Sequence, residues 1–280
     1  MKLPKTIDIL YTSRADYNML YAVDQEITLK GHYPRLMHCS VPLSRIPAPD
    51  ACIVLGDRME LLDPLTKYVH AAIPIIHLHA EEETTYSADN RYRKAISCLA
   101  SLTIPPEKHG AIGYELATTA NLKPVFEELN PYALITLHPW LKSPDLDPIL
   151  KTITDTCIDM KLNTVICRGN GEPGSITPSL KHVSLGESYY AAMKHAAVII
   201  GNSSSMIFEA AAYDTPCILV GPRQEGRNYH GNINHVAHRD MIEGAIRGYK
   251  EQVTTSPAKD FIYGGENPIK DTVEEVLAWL

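Results

Sequence analysis

Three carboxylates, Asp57, Glu82 and Asp89, fall in the N-terminal half of the chain, and His138 follows them. Carboxylates that share a partly buried site have their pKa values pushed apart, so that one serves as acid and another as base. Each also has a plainer reading. Asp57 follows an apolar run and suits a helix N-cap. Glu82 lies between Glu81 and Glu83 and suits a solvated acidic turn. Asp89 stands four residues before Arg93 and suits a surface ion pair. His77-x-His79 suggests a metal site, but no third ligand follows at a recognisable spacing, so no metal is expected.

A second chemistry is written in IIGNSSSMIFEAAAYD, residues 199–214. Here an apolar strand gives way to a helix. Free N–H groups and the positive dipole end make such a junction an anion site. A cap needs one residue such as Ser or Asn, and four are present: Asn202, Ser203, Ser204 and Ser205. Ser205 and Glu209 are four apart and share a helix face. A carboxylate behind a phosphate-binding turn suits the two hydroxyls of a ribose. The stretch therefore reads as a seat for a nucleoside diphosphate. Arg223, Gln224 and Arg227 follow the next apolar run, and a guanidinium fork is a natural phosphate partner. Arg14 and Arg58 supply the same groups from the N-terminal half.

The elements that position these residues are short apolar runs alternating with helical patterns. The runs cover 6–12, 33–39, 51–56, 73–79, 100–105, 132–138, 162–168, 196–201 and 216–221. Several are apolar throughout, as strands buried on both faces of a parallel sheet are. Helical patterns intervene at 59–72 and 148–162, so the fold class is α/β and doubly wound. Nine strands are many for one sheet, and the periodicity pauses across GYELATTANLKP, 113–124. Two Rossmann-like domains are expected, 1–115 and 116–263, followed by a C-terminal helix over 264–280. Ligands of open parallel sheets bind beyond the carboxyl ends of the strands. Six such ends deliver the polar residues named above, which predicts a polar, anionic ligand in a cleft between the domains.

Composition narrows the field. A net charge of −7 over 280 residues leaves no basic stripe for coating nucleic acid. No apolar run approaches the roughly 20 residues that span a bilayer, and the N-terminus alternates like a strand and lacks a cleavage site. Six cysteines in a chain of this length suit a reducing compartment. A cytoplasmic protein without nucleic-acid or membrane partners is expected.

TSRADYNMLY (12–21), VLGDRME (54–60), IPIIHLHAEEETT (73–85), ADNRYRKAIS (88–97), TLHP (136–139), GNSSSMIFEA (201–210) and GPRQEGR (221–227) occur together in this order. In these motifs the chain resembles the UDP-N-acetylglucosamine 2-epimerase family, and in GDR-x-E its hydrolysing branch, which feeds sialic and related nonulosonic acid synthesis. The resemblance implies a glycosyltransferase-B-like pair of domains. It implies elimination of UDP from UDP-N-acetylglucosamine, then hydration of the glycal to N-acetylmannosamine, with no metal or redox cofactor. Asp57, Glu82 and Asp89 match the family's acid/base carboxylates, and His138 its histidine near the diphosphate. Ser203, Ser204 and Arg223 match phosphate contacts, and Glu209 the ribose contact. A homodimer is the family-level expectation.

The chain also departs from the family. Ala80-Glu81 replaces a Gly-Gly pair, Asn90 a second acid, and Lys94 a histidine. The segment between SRAD and GDR is shorter by about one strand–helix unit and a loop. The same chemistry on UDP-N,N'-diacetylbacillosamine, a glycosyltransferase, and a non-catalytic UDP-sugar binder are the competing readings.

Overall fold

The computed structural model describes residues 3–42, 46–87, 89–142, 145–168, 182–183, 185, 188–251 and 261–280. The chain divides into two compact units. Unit 1 comprises Met1–Glu83, Ala88–Glu115 and Ile262–Leu280; unit 2 comprises Thr84–Ser87 and Leu116–Phe261. Among the described residues no helix is long and apolar enough to cross a membrane.

The first elements are β1 (Thr6–Tyr11), α1 (Arg14–Leu29), β2 (Tyr33–His38), β3 (Ala51–Leu55), α2 (Leu62–His70), β4 (Ile75–Leu78), α3 (Asp89–Leu99), β5 (Leu102–Ile104), α4 (Pro106–His109) and α5 (Ile112–Thr119). Those that follow are β6 (Tyr132–Thr136), α6 (Asp147–Asp159), β7 (Asn163–Cys167), β8 (His182–Val183), α7 (Tyr189–His195), β9 (Val198–Gly201), α8 (Ser205–Phe208), β10 (Cys217–Val220), β11 (Ile233–Val236), α9 (Ile242–Arg247) and α10 (Pro268–Trp279).

All nine apolar runs are strands. Among the described residues two strands carry no such run: β8 has only two residues, and β11 is Ile-Asn-His-Val, with polar residues at its centre. The pause at 113–124 is also filled differently, because its first part is α5, and the division between units falls inside that helix.

The sheet of unit 1 has the order β2-β1-β3-β4-β5 and that of unit 2 the order β11-β10-β9-β6-β7-β8. Every pairing is parallel. The strand order reverses between β1 and β3 in unit 1, and between β6 and β9 in unit 2. In open α/β sheets these switch points are where the crevice for a ligand opens. The central strands β3, β6, β9 and β10 are buried along their whole length, as their unbroken apolar sequences require.

On α1 the buried residues Leu20, Val23 and Ile27 recur at helical spacing and face the sheet. Asp8, wholly buried in β1, is neutralised there by Arg35 Nε at 2.6 Å and accepts the Tyr68 hydroxyl at 2.6 Å. The C-terminal helix α10 belongs to unit 1, where Val273 and Val276 are fully buried.

Candidate functional site

In unit 1 the switch point lies between the loops that follow β1 and β3. Ser13 and Asp16 form a capping box at the start of α1, and Asp16 also accepts the Thr12 hydroxyl at 2.5 Å. Two of the four residues in SRAD are thus spent on the helix end, and Arg14 is left exposed in its first turn. After β3 the chain turns through Gly56 at φ 79° into Asp57 and Arg58, both half-buried. The Arg58 backbone opens the following 3-10 turn without any side-chain cap.

Asp57 does not cap that turn; its carboxylate pairs with the guanidinium of Arg93 on α3. Arg93 is 5% exposed and spans the cluster, with Nη1 donating to the Glu82 carbonyl at 2.8 Å and to Asn90 Oδ1 at 3.3 Å. Glu82 is itself buried, at 7% exposure, while Glu81 and Glu83 beside it are exposed. Those two behave as an acidic turn should: Glu81 accepts from Thr103 and Glu83 pairs with Lys94 at 2.6 Å. Glu82 does not. A buried carboxylate tied by its backbone to a buried arginine is not a solvated surface residue. Asp89, half-buried, starts α3, the helix that carries Arg93.

His77 holds this loop region rather than a metal. Its Nε2 donates to the Gly56 carbonyl at 2.6 Å and its Nδ1 accepts the Ser97 hydroxyl at 2.9 Å. Burial pushes its pKa down to about 4, so the ring is neutral, with both nitrogens engaged. His79 Nε2 accepts from the Ile112 N–H at 3.3 Å. Among the described residues no cluster of three or more potential metal ligands occurs. His77 and Arg93 are named by the sequence, but their roles here, bracing the Gly56 carbonyl and pairing with Asp57, are ones that sequence reasoning missed. The sequence offers Arg93 only as a partner for Asp89, and nothing local marks it as the partner of Asp57, 36 positions away.

In unit 2 the switch point lies between β6, followed by Leu137-His138, and β9, followed by Asn202-Ser203-Ser204. Gly201 closes β9 because no other residue fits: a Cβ there would lie 1.9 Å from the Thr136 carbonyl oxygen on β6. Asn202 is fully buried and bridges to the backbone of His138, which is 9% exposed. Ser203 and Ser204 are half-buried.

Ser204 opens α8 without a side-chain capping bond, and the amides of Ser203 and Ser204 find no backbone acceptor among the described residues. Capping accounts for Ser203, whose hydroxyl accepts the Ser205 N–H at 3.4 Å, but not for Ser204. Because α8 is only four residues long, its dipole is small, and what the turn offers is its N–H and hydroxyl donors themselves. Ser205 is held inward, its hydroxyl bonded to Tyr189 at 2.7 Å and to Ser203 at 2.9 Å.

Glu209 lies one turn on, with Oε2 shut off from solvent and without a hydrogen-bond partner among the described residues. Desolvation pushes its pKa up to about 7, against the opposing pull of its own backbone and of Arg227. Arg227 lies 5.1 Å over the Phe208 ring and donates to Gln224 Oε1 at 2.5 Å. Gln224, 2% exposed, in turn donates to the Asn202 carbonyl at 2.8 Å, as Arg223 does at 3.2 Å. The Tyr229 hydroxyl and the His235 ring hold the carbonyls of Gln224 and Gly221. The structure thus brings His138, Ser203, Ser204, Ser205, Glu209, Arg223 and Arg227 together around one strand-end region. The side chains of Asn202 and Gln224 serve as internal braces of that region, not as outward-facing groups.

Residues 175–274 match the sequence model of a family described as UDP-N-acetylglucosamine 2-epimerase. A GDP/UDP-N,N'-diacetylbacillosamine 2-epimerase (hydrolyzing) of Campylobacter jejuni is 28% identical over 232 residues, which is 66% of this chain and 59% of that protein. The polysialic acid biosynthesis protein P7 of Escherichia coli is 25% identical over 76% of this chain and 66% of its own length. The chain thus spans about 59–66% of the length of these relatives. The S. aureus MnaA–UDP co-structure superposes with a TM-score of 0.77 at 14% identity, covering 98% of this chain and 96% of that one. That likeness shows the fold, two parallel-sheet α/β units of the glycosyltransferase-B-like kind. In these matches, as in its motifs, the chain is similar to proteins of the UDP-N-acetylglucosamine 2-epimerase family.

Proposed function

We propose that the protein is a hydrolysing UDP-N-acetylglucosamine 2-epimerase. A carboxylate takes the C2 proton, the C1–O bond to UDP breaks, and a glycal forms. Water then adds its oxygen at C1 while a proton returns to C2 on the opposite face, releasing N-acetylmannosamine and UDP. Protons move and no electrons change hands, so the groups required are an acid, a base and a seat for the leaving diphosphate. The observation that carries this reading is Glu82, buried between two exposed glutamates and braced through Arg93 to Asp57. A glycosyltransferase or a passive UDP-sugar binder has no use for such a set. Asp57, Glu82 and Asp89 are assigned to proton transfer, with His138 beside the diphosphate. Ser203, Ser204, Arg223 and Arg227 take the phosphates, Glu209 takes the ribose, and Arg14 and Arg58 complete the anion contacts.

The C. jejuni relative's name favours a second substrate, UDP-N,N'-diacetylbacillosamine, through the same steps. Proton NMR in deuterated water with each nucleotide sugar separates the two. Free 2-epimer deuterated at C2, together with UDP, is expected from one of them. Both sugars remaining intact while UDP binds would remove the catalytic reading. Glu82→Gln should keep UDP affinity and lose turnover by on the order of 100-fold or more; wild-type turnover in that variant would remove Glu82 from the mechanism. Ser204→Ala combined with Arg223→Ala should weaken UDP binding by on the order of 10-fold or more, read by calorimetry.

A further inference from the structure

Asn202 has no surface to offer a ligand, being 0% exposed, yet it stands where three strand-end loops meet. Its Oδ1 accepts the His138 N–H at 2.8 Å and its Nδ2 donates to the His138 carbonyl at 2.8 Å. Both ends of one side-chain amide are therefore spent on the main chain of one residue. Its own N–H donates to the Thr136 carbonyl at 2.9 Å. Its own carbonyl accepts from Gln224 Nε2 at 2.8 Å and Arg223 Nη1 at 3.2 Å. The loops after β6, β9 and β10 thus converge on the polar atoms of a single buried residue. Ser203 and Ser204 follow it directly and inherit its placement.

We infer that Asn202 is the positioning residue of this site: it sets His138, the Ser203-Ser204 turn and the Arg223-Gln224 loop in register with one another without touching the ligand. The inference rests on the nucleotide reading for what these loops hold, and on the hydrogen bonds alone for how they are held. A planar amide is required because the His138 main chain presents a donor and an acceptor side by side. At this side-chain length Asn answers with both at neutral pH, and Asp does so only when protonated.

Two variants and two measurements test this. Asn202→Ala removes both side-chain bonds. Asn202→Asp keeps the acceptor for the His138 N–H, but its second oxygen faces the His138 carbonyl until it is protonated. UDP affinity of the folded fraction is read by calorimetry, relative to wild type at each pH. Amide hydrogen exchange is read at His138 and across residues 221–227.

Asn202→Ala should weaken UDP by on the order of 10-fold or more and speed exchange in both places. Asn202→Asp should keep His138 protected, weaken UDP at neutral pH, and recover toward wild type as the pH falls into the carboxyl range. A residue that merely fills the core would lower the Tm of both variants while leaving relative UDP affinity and its pH dependence unchanged, and that result overturns the inference. Should Asn202→Ala fail to fold, the pH series on Asn202→Asp decides alone. Should wild type not bind UDP, the nucleotide reading fails, and the exchange pattern still decides whether Asn202 positions the loops.

Discussion

At Gly201 an added methyl group would penetrate the backbone of the neighbouring strand, 1.9 Å from the Thr136 oxygen and 2.6 Å from its carbonyl carbon. Backbone inside a parallel sheet cannot step aside as the end of a side chain can. Gly201→Ala should therefore cost on the order of 3 kcal/mol, read as a lowered denaturation midpoint. Glu209 makes a different kind of prediction. Its folded-state pKa of about 7 stands above its ordinary value of 4.5 because burial opposes the charge. Between those two values the folded protein holds a proton that the unfolded chain has released, so stability falls as the pH rises through that window and levels off above it. Linkage puts the loss at about 3 kcal/mol for a shift of this size. Melting curves of wild type should show the slope, and Glu209→Gln should abolish it. At this scale the sequence declares residue types but not their surroundings. Glu81, Glu82 and Glu83 read alike in the chain, and only the bond from Arg93 to the Glu82 carbonyl and the burial around it distinguish the middle one. Asn202 likewise reads as one more polar residue of a loop, because its partner His138 lies 64 positions away.

Among the elements, α10 shows how a helix is fastened. The Glu115 carboxylate accepts the Ile269 N–H in its first turn at 2.7 Å, and Val273 and Val276 face inward. Lys108 and His109 meet Glu275 at 2.6 Å, and Lys30 meets Glu274 at 2.6 Å. The apolar contacts should dominate. Val276→Ala should cost about 2 kcal/mol, whereas Lys30→Ala should leave the midpoint unmoved within error, since an exposed pair gains little. Chemical denaturation of the two variants side by side checks the ranking. The strand elements were legible because the central strands are apolar from end to end. What was not legible lacked that mark: β11 owes its place to its neighbour β10 and not to its own Ile-Asn-His-Val, and β8 is too short to carry a pattern. In SRAD the sequence leaves Ser13 and Asp16 ambiguous in a related way, since a capping box and a ligand loop draw on the same residue types.

For the molecule as a whole, the units are not sequence blocks. Unit 1 takes its last helix from the far end of the chain, and Thr84–Ser87 belongs to unit 2 although both flanks belong to unit 1. In unit 2 that short segment is bonded by Thr85 N–H to the Glu225 carbonyl at 3.0 Å and by its Tyr86 carbonyl to the Leu141 N–H at 2.8 Å. A fragment ending at residue 115 should therefore fail to fold cooperatively, and adding a peptide of residues 262–280 in trans should restore a sigmoidal melt by circular dichroism. A fragment that melts cooperatively without the peptide would show that α10 is dispensable to unit 1. The Asn202 bridge has a further consequence for how such a scaffold could change over time. It grips only main-chain atoms of residue 138, so it does not depend on which side chain that residue carries. The imidazole could be exchanged for another side chain with the framework around it intact. Chemistry and framework are inherited separately here, which allows one fold to try new reactions without first losing its shape.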